Sequence, residues 1–207
     1  MSREKVPFLV IAISSLVVAL VSFRFIPLGI ENAFPVLLAN ADANRGVFMA
    51  HVIAASVALA VAVPQFLPDM RTRRPGLHRM TGRIYVAAIL IGGLSGGALA
   101  IAAAPDRPVA GAGFGLLALA WLGVTGVALY LARTRQIARH RVWMIRSFAL
   151  TFAAVTLRLQ LPLFFAAGLE YPEASNWVAW TCWVPNLIVA EWILRRAPGS
   201  GRAVGVA

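Results

Sequence analysis

Residues 84–104 read IYVAAILIGGLSGGALAIAAA, an apolar stretch without a single charge. At about 1.5 Å per helical residue it reaches about 32 Å, which matches the hydrocarbon core of a bilayer. Five further apolar runs accompany it, at about 6–27, 46–64, 109–132, 142–168 and 177–194. Sixty per cent of the 207 residues are apolar, 13% are charged, and the mean hydropathy is +0.78. Soluble domains hold about 25% charged residues, so this composition excludes disorder and most soluble folds. The fold class it predicts is all-α, a polytopic membrane bundle of six transmembrane helices forming a single domain. The first run follows a basic start but is too long for a signal-peptide core and lacks a cleavage site, so a retained helix is expected. Residues 28–45 read as a loop with a short interfacial helix. A Pro/Gly-rich tail at 197–207 is expected to be mobile.

Charge orients the bundle. The first residues, the loops around 71–83 and 133–146, and the C-terminal tail hold 15 of the 19 Lys/Arg. Positive residues collect in cytoplasmic loops, so both termini are expected in the cytoplasm of a bacterial inner (plasma) membrane protein. The net charge of +11 therefore reads as loop topology, and no nucleic-acid partner is expected. The expected partners are the lipid bilayer, a small hydrophobic or anionic ligand, and another membrane protein. Cys182 is the single cysteine. It excludes a disulfide framework and a cysteine-based zinc site, and no metal site is expected.

The two basic loops share the pattern R-T-R-x-x-x-x-H-R, once from Arg71 to Arg79 and again from Arg133 to Arg141, with an offset of 62 residues. This reads as a repeat of spans two and three in spans four and five. A repeat in the same orientation implies a pseudo-twofold axis along the membrane normal. Such an axis would bring His78 and His140 together at the inner face.

Four stretches carry a resemblance: LHRMTGRIY at 77–85, HRVWMIRS at 140–147, TLRLQLP at 156–162 and WTCWVPNLIVAE at 180–191. They resemble DUF2306, a bacterial family of predicted inner-membrane proteins of unknown function. The resemblance implies a multi-pass helical bundle and no particular activity.

Polar groups inside a span are expensive and mark candidate sites. His78 and His140 are each followed by an arginine, Arg79 and Arg141. Imidazoles ligate haem iron and arginines pair with propionates, so haem b is one candidate cofactor. The alternatives are a quinone or other anion, or plain helix-end anchoring at the lipid phosphates. His51, near the outer end of span two, can hydrogen-bond a quinone carbonyl. Arg158, Gln160, Asn186 and Glu191 are the remaining candidate ligand-binding residues. Arg158 is expected to face the interior, toward a neighbouring helix or a ligand, with Glu31 or Asp42 as counter-ion. Trp177, Trp180 and Trp183 share a helix face and read as an interfacial belt. Gly92-x-x-x-Gly96 and Gly93-x-x-x-Gly97 permit close helix approach.

No Walker loop, G-x-G-x-x-G, H-E-x-x-H or G-x-S-x-G motif is present, so no enzyme class is indicated. Three functions fit: a redox-linked module holding haem b or quinone within the bundle, a small-molecule or lipid transporter or binding protein, and a non-catalytic subunit of a membrane complex. The topology is directly testable. Reporter fusions after Arg74 and Arg135 should report cytoplasm, and one after Asp106 should report periplasm. The opposite pattern would invert the orientation.

Overall fold

The computed structural model describes residues 5–37 and 43–196. The expected mobile tail at 197–207 and Asp42 lie outside the described residues. Every regular element described is helical: α1 (Lys5–Ser22), α2 (Phe25–Ala33), a 3₁₀ turn (Pro35–Leu37), α3 (Arg45–Gln65), α4 (Pro68–Thr72), α5 (Pro75–Ala103), α6 (Pro108–Arg133), α7 (Ile137–Thr151), α8 (Ala153–Ala166), α9 (Tyr171–Thr181) and α10 (Val184–Arg196). Local chemistry sets many of these boundaries. Proline, which lacks the N–H that a first turn leaves unused, opens α4, α5 and α6. Gly168, with φ +85°, closes α8 while Leu169 N–H returns to the Phe164 carbonyl at 3.0 Å. Arg135 takes the same left-handed position after α6, with φ 60°.

Five spans are long and apolar enough to cross a membrane: α3, α5, α6, α7 with α8, and α9 with α10. A sixth arises if α1 and α2 count as one span bent by 79°. The first boundary therefore differs from the sequence reading. The chain turns after Ser22 instead of continuing to residue 27, and the short helix expected in the following loop begins at Phe25. Apolar side chains explain the turn: Ile30, Ala33 and Phe34 pack on Phe48 and Val52 at the start of α3. Arg24 fastens it by donating from Nε to the Ala33 carbonyl at 3.0 Å while lying over the Phe34 ring.

α3, α5, α6 and α7 supply the central core, in which Ala58, Ala62, Tyr85, Ala88, Ile89, Trp121 and Leu150 are buried together. α1 packs on α3 and α8 through Ala19, Leu59 and Val155. α9 and α10 cover the opposite seam, against α6 and α7.

A buried hydroxyl network ties this core. Tyr85 Oη lies 2.9 Å from Ser147 Oγ and 2.8 Å from Thr151 Oγ1. Trp121 Nε1 donates to Thr151 at 2.9 Å, and Thr125 meets Ser147 at 2.7 Å. Thr151 donates to the Ser147 carbonyl. The other hydroxyls can then fall into one chain of donors, Thr125 to Ser147 to Tyr85 to Thr151, with every proton used. Tyr85→Phe breaks that chain at its centre. It should lower stability by about 1–2 kcal/mol, read as a lower midpoint of thermal unfolding in detergent. An unchanged midpoint would show that the network carries no net stability.

Candidate functional site: an outer cavity between His51 and Arg158

The helices leave between them a partly open cavity of about 230 Å³ in the half of the bundle away from the basic loops. Its walls are mostly apolar, with Phe48, Val52, Leu99, Phe114 and Leu157 among them. Trp121, Thr151 and Cys182 form its deeper part, and Arg107 and Tyr171 line it at the outer helix ends. Arg107 lies 5.0 Å over the Tyr171 ring. Two polar side chains stand out in this lining, His51 from α3 and Arg158 from α8. They are within electrostatic range of each other.

Glycines on α5 make the room. A Cβ at Gly96 would come within 2.8 Å of the His51 ring, and one at Gly93 within 2.7 Å of Leu122. A Cβ at Gly92 would press Trp121 at 3.3 Å and the α3 backbone at Ala55. The small-residue stripe expected from the sequence therefore packs within the chain. The same closeness fixes the histidine: Nδ1 lies 2.8 Å from the Gly92 carbonyl. A carbonyl only accepts, so Nδ1 carries the proton. The neutral ring then keeps a lone pair on Nε2.

Arg158 donates from one terminal nitrogen to the Ala154 carbonyl of its own helix at 3.0 Å. It lines the cavity, as expected, but among the described residues no bond from it to another helix is formed. Glu31, one expected counter-ion, is taken by Arg45 at 2.9 Å. Among the described residues no carboxylate forms an ion pair with Arg158. A half-buried guanidinium without an anion is costly in an apolar surrounding.

The other sequence candidates lie elsewhere. Gln160 and Asn186 tie the last two spans. Pro185 has no N–H to offer the Thr181 carbonyl, and Gln160 donates to that carbonyl at 3.2 Å while accepting from the Thr181 hydroxyl at 2.9 Å. Asn186 donates to Cys182 and Ala149 carbonyls and bonds Thr156. Glu191 holds Arg146 in a two-pronged pair at 2.5 and 3.0 Å between α10 and α7. His78 and His140 lie at the other end of the bundle. Neither lines the cavity, and nor do Arg79 and Arg141. Of the tryptophans, Trp177 faces outward, while Trp180 and Trp183 hydrogen-bond Val109 and Ala179 carbonyls.

Sequence reasoning missed Trp121, Thr151 and Arg107 as lining. Their residue types are unremarkable in a span or a turn, and only the packing brings them to His51.

The family model described as "Predicted membrane protein (DUF2306)" matches residues 48–194. No curated protein and no solved structure matches the chain.

The glycine face yields a sharp prediction. Gly96→Val should push the His51 ring off the Gly92 carbonyl. The histidine Nδ1 proton resonance should move or vanish in NMR of the labelled protein, with a lowered unfolding midpoint. An unmoved resonance would mean that α5 can retreat from α3 without cost.

Proposed function

The chain belongs to the DUF2306 family of predicted membrane proteins, and we propose that it is a ligand-binding module whose outer cavity takes a quinone or quinol. The observation that carries this reading is that His51 and Arg158 both line one mostly apolar cavity. The imidazole offers an acceptor for a quinol hydroxyl. The guanidinium offers donors for a ring oxygen, and such charge-assisted bonds are the stronger kind. An apolar protein cavity of about 150 Å³ takes up benzene, so about 230 Å³ accommodates a substituted six-membered ring. A porphyrin with its four pyrrole rings exceeds that volume, which favours quinone over haem b here. An apolar tail would follow the aliphatic walls.

The basic loops support a bacterial inner membrane location with both termini in the cytoplasm, which puts the cavity on the periplasmic side. The duplication draws support from the Tyr85–Ser147 bond, whose partners stand 62 residues apart, the offset of the two loop motifs.

The test is binding of a short-tailed ubiquinone analogue to the purified protein, followed by quenching of tryptophan fluorescence, to which Trp121 contributes. His51→Ala and Arg158→Leu should each weaken binding at least about tenfold, the size of one such hydrogen bond. Equal quenching in wild type and both variants would remove the cavity from consideration as the quinone site.

A further inference from the structure

One edge of the Arg158 guanidinium has no use within the protein. Its Nη1 donates to the Ala154 carbonyl of α8. Among the described residues Nε and Nη2 have no partner, and neither is sealed away, since the buried side-chain atoms without a partner are Ser15 Oγ and His78 Nδ1. That edge of a guanidinium holds a carboxylate through two parallel hydrogen bonds. Arg146 uses it in just this way, with Nε and Nη2 donating to the two oxygens of Glu191. His51 presents a second reachable group to the same cavity. With its Nδ1 proton on the Gly92 carbonyl, its Nε2 accepts and does not donate.

The charges of the lining have one sign. Arg107 and Arg158 belong to it, and no aspartate or glutamate does. Neither arginine forms an ion pair among the described residues. Arg107 lies over the Tyr171 ring, which leaves its in-plane donors for the mouth of the cavity. A tight turn fixes it there. A Cβ at Gly111 would come within 2.8 Å of Ala104, and the Gly111 N–H donates to the Arg107 carbonyl at 2.8 Å. Two cations among apolar walls favour a ligand that brings the negative charge with it. A quinol does so poorly. Its hydroxyls resemble a phenol with a pKa of about 10, and a neighbouring cation lowers that by about 1–3 units, so at neutral pH it is at best about half ionised. A ring carboxylate is ionised throughout. The acceptor on His51 then calls for a hydroxyl on the same ring.

We infer that the outer cavity selects an anionic ring, a hydroxyaryl carboxylate. Its carboxylate takes the Nε and Nη2 edge of Arg158, its hydroxyl donates to His51 Nε2, and Arg107 adds a second positive charge at the mouth. The inference rests on the reading of this cavity as a ring-binding site, and it goes beyond that reading by giving the ring a charge that a quinone lacks.

The experiment is isothermal titration calorimetry on the full chain in non-ionic detergent. Both 3- and 4-hydroxybenzoate are titrated, and the tighter of the two is compared with its neutral amide and with benzoate, which lacks the hydroxyl. The hydroxybenzoate should bind at least about tenfold more tightly than the amide, the size of a charge-assisted hydrogen bond. It should also bind more tightly than benzoate. Arg158→Gln should abolish the preference over the amide and keep the preference over benzoate. His51→Leu should do the reverse. If Arg158→Gln does not fold, judged by its melting curve, Arg107→Gln is read in its place and should reduce the preference for the anion while leaving amide binding unchanged. Equal affinity for acid and amide in the wild type would overturn the inference, and so would a preference that survives in the arginine variant. Binding of the neutral ubiquinone analogue without either hydroxybenzoate would overturn it too and leave the quinone reading standing. Binding of a hydroxybenzoate without the analogue would support it and remove the quinone. Absence of binding by every probe would overturn both.

Discussion

The close approach of α5 to α3 and α6 governs the centre of this molecule, and it depends on three missing side chains. At Gly92, Gly93 and Gly96 a methyl group would meet Trp121, Leu122 or the His51 ring at 2.7–3.3 Å. Lipid tails are as apolar as leucine, so helices in a bilayer gain little from hiding apolar surface from one another. Close packing and interhelical hydrogen bonds have to supply the association instead. The glycine face does both. It lets Trp121 and Leu122 lie against α5, and it exposes the Gly92 carbonyl to His51. The cavity is a consequence: small residues at 92, 93, 96 and 100 on α5, opposite Ala118 and Ala154, leave space that larger residues would fill.

The need to satisfy polar groups inside lipid explains most of the remaining side-chain placements. The span from 171 to 196 contains Pro185, and Gln160 serves the carbonyl that this proline cannot. Asn186 reaches the break between α7 and α8. Arg146 and Glu191 neutralise one another across two helices. Arg158 is the exception, since its protein partner among the described residues is a carbonyl of its own helix. That imbalance separates it from Gln160, Asn186 and Glu191, which looked equivalent in the sequence because all four are polar residues in apolar runs. Sequence distance does not say which of them already has a neighbour.

The spans themselves were legible because length and hydropathy are local quantities. So was the basic loop pattern. The turn after Ser22 was not, since residues 23–26 read Phe-Arg-Phe-Ile and continue the apolar run. What bends the chain there is contact with Phe48 and Val52, more than 20 residues away. The hydroxyl network escaped for a related reason. Serine and threonine are ordinary in membrane helices, and nothing local distinguishes Ser147 or Thr151 from Ser14 or Thr156. The resemblance stretches did contain Tyr85 and Ser147, but as pattern and not as partners.

The two ends of the bundle are connected through these same residues. On α5, His78, Tyr85 and Gly92 follow in steps of seven, a spacing that keeps them on one helix face with a drift of about 20° per step. His140, Ser147 and Ala154 repeat the steps on α7 and α8 at an offset of 62 residues. Tyr85 bonds Ser147, and both Gly92 and Ala154 border the cavity. The correspondence extends to the carbonyls, since Gly92 accepts from His51 and Ala154 from Arg158. The two carbonyls differ in their donor, a histidine from α3 at one and an arginine from α8 at the other. A void lined by two unlike polar groups can bind a ligand with two unlike ends or two unlike oxygens, which a pair of identical groups would not distinguish.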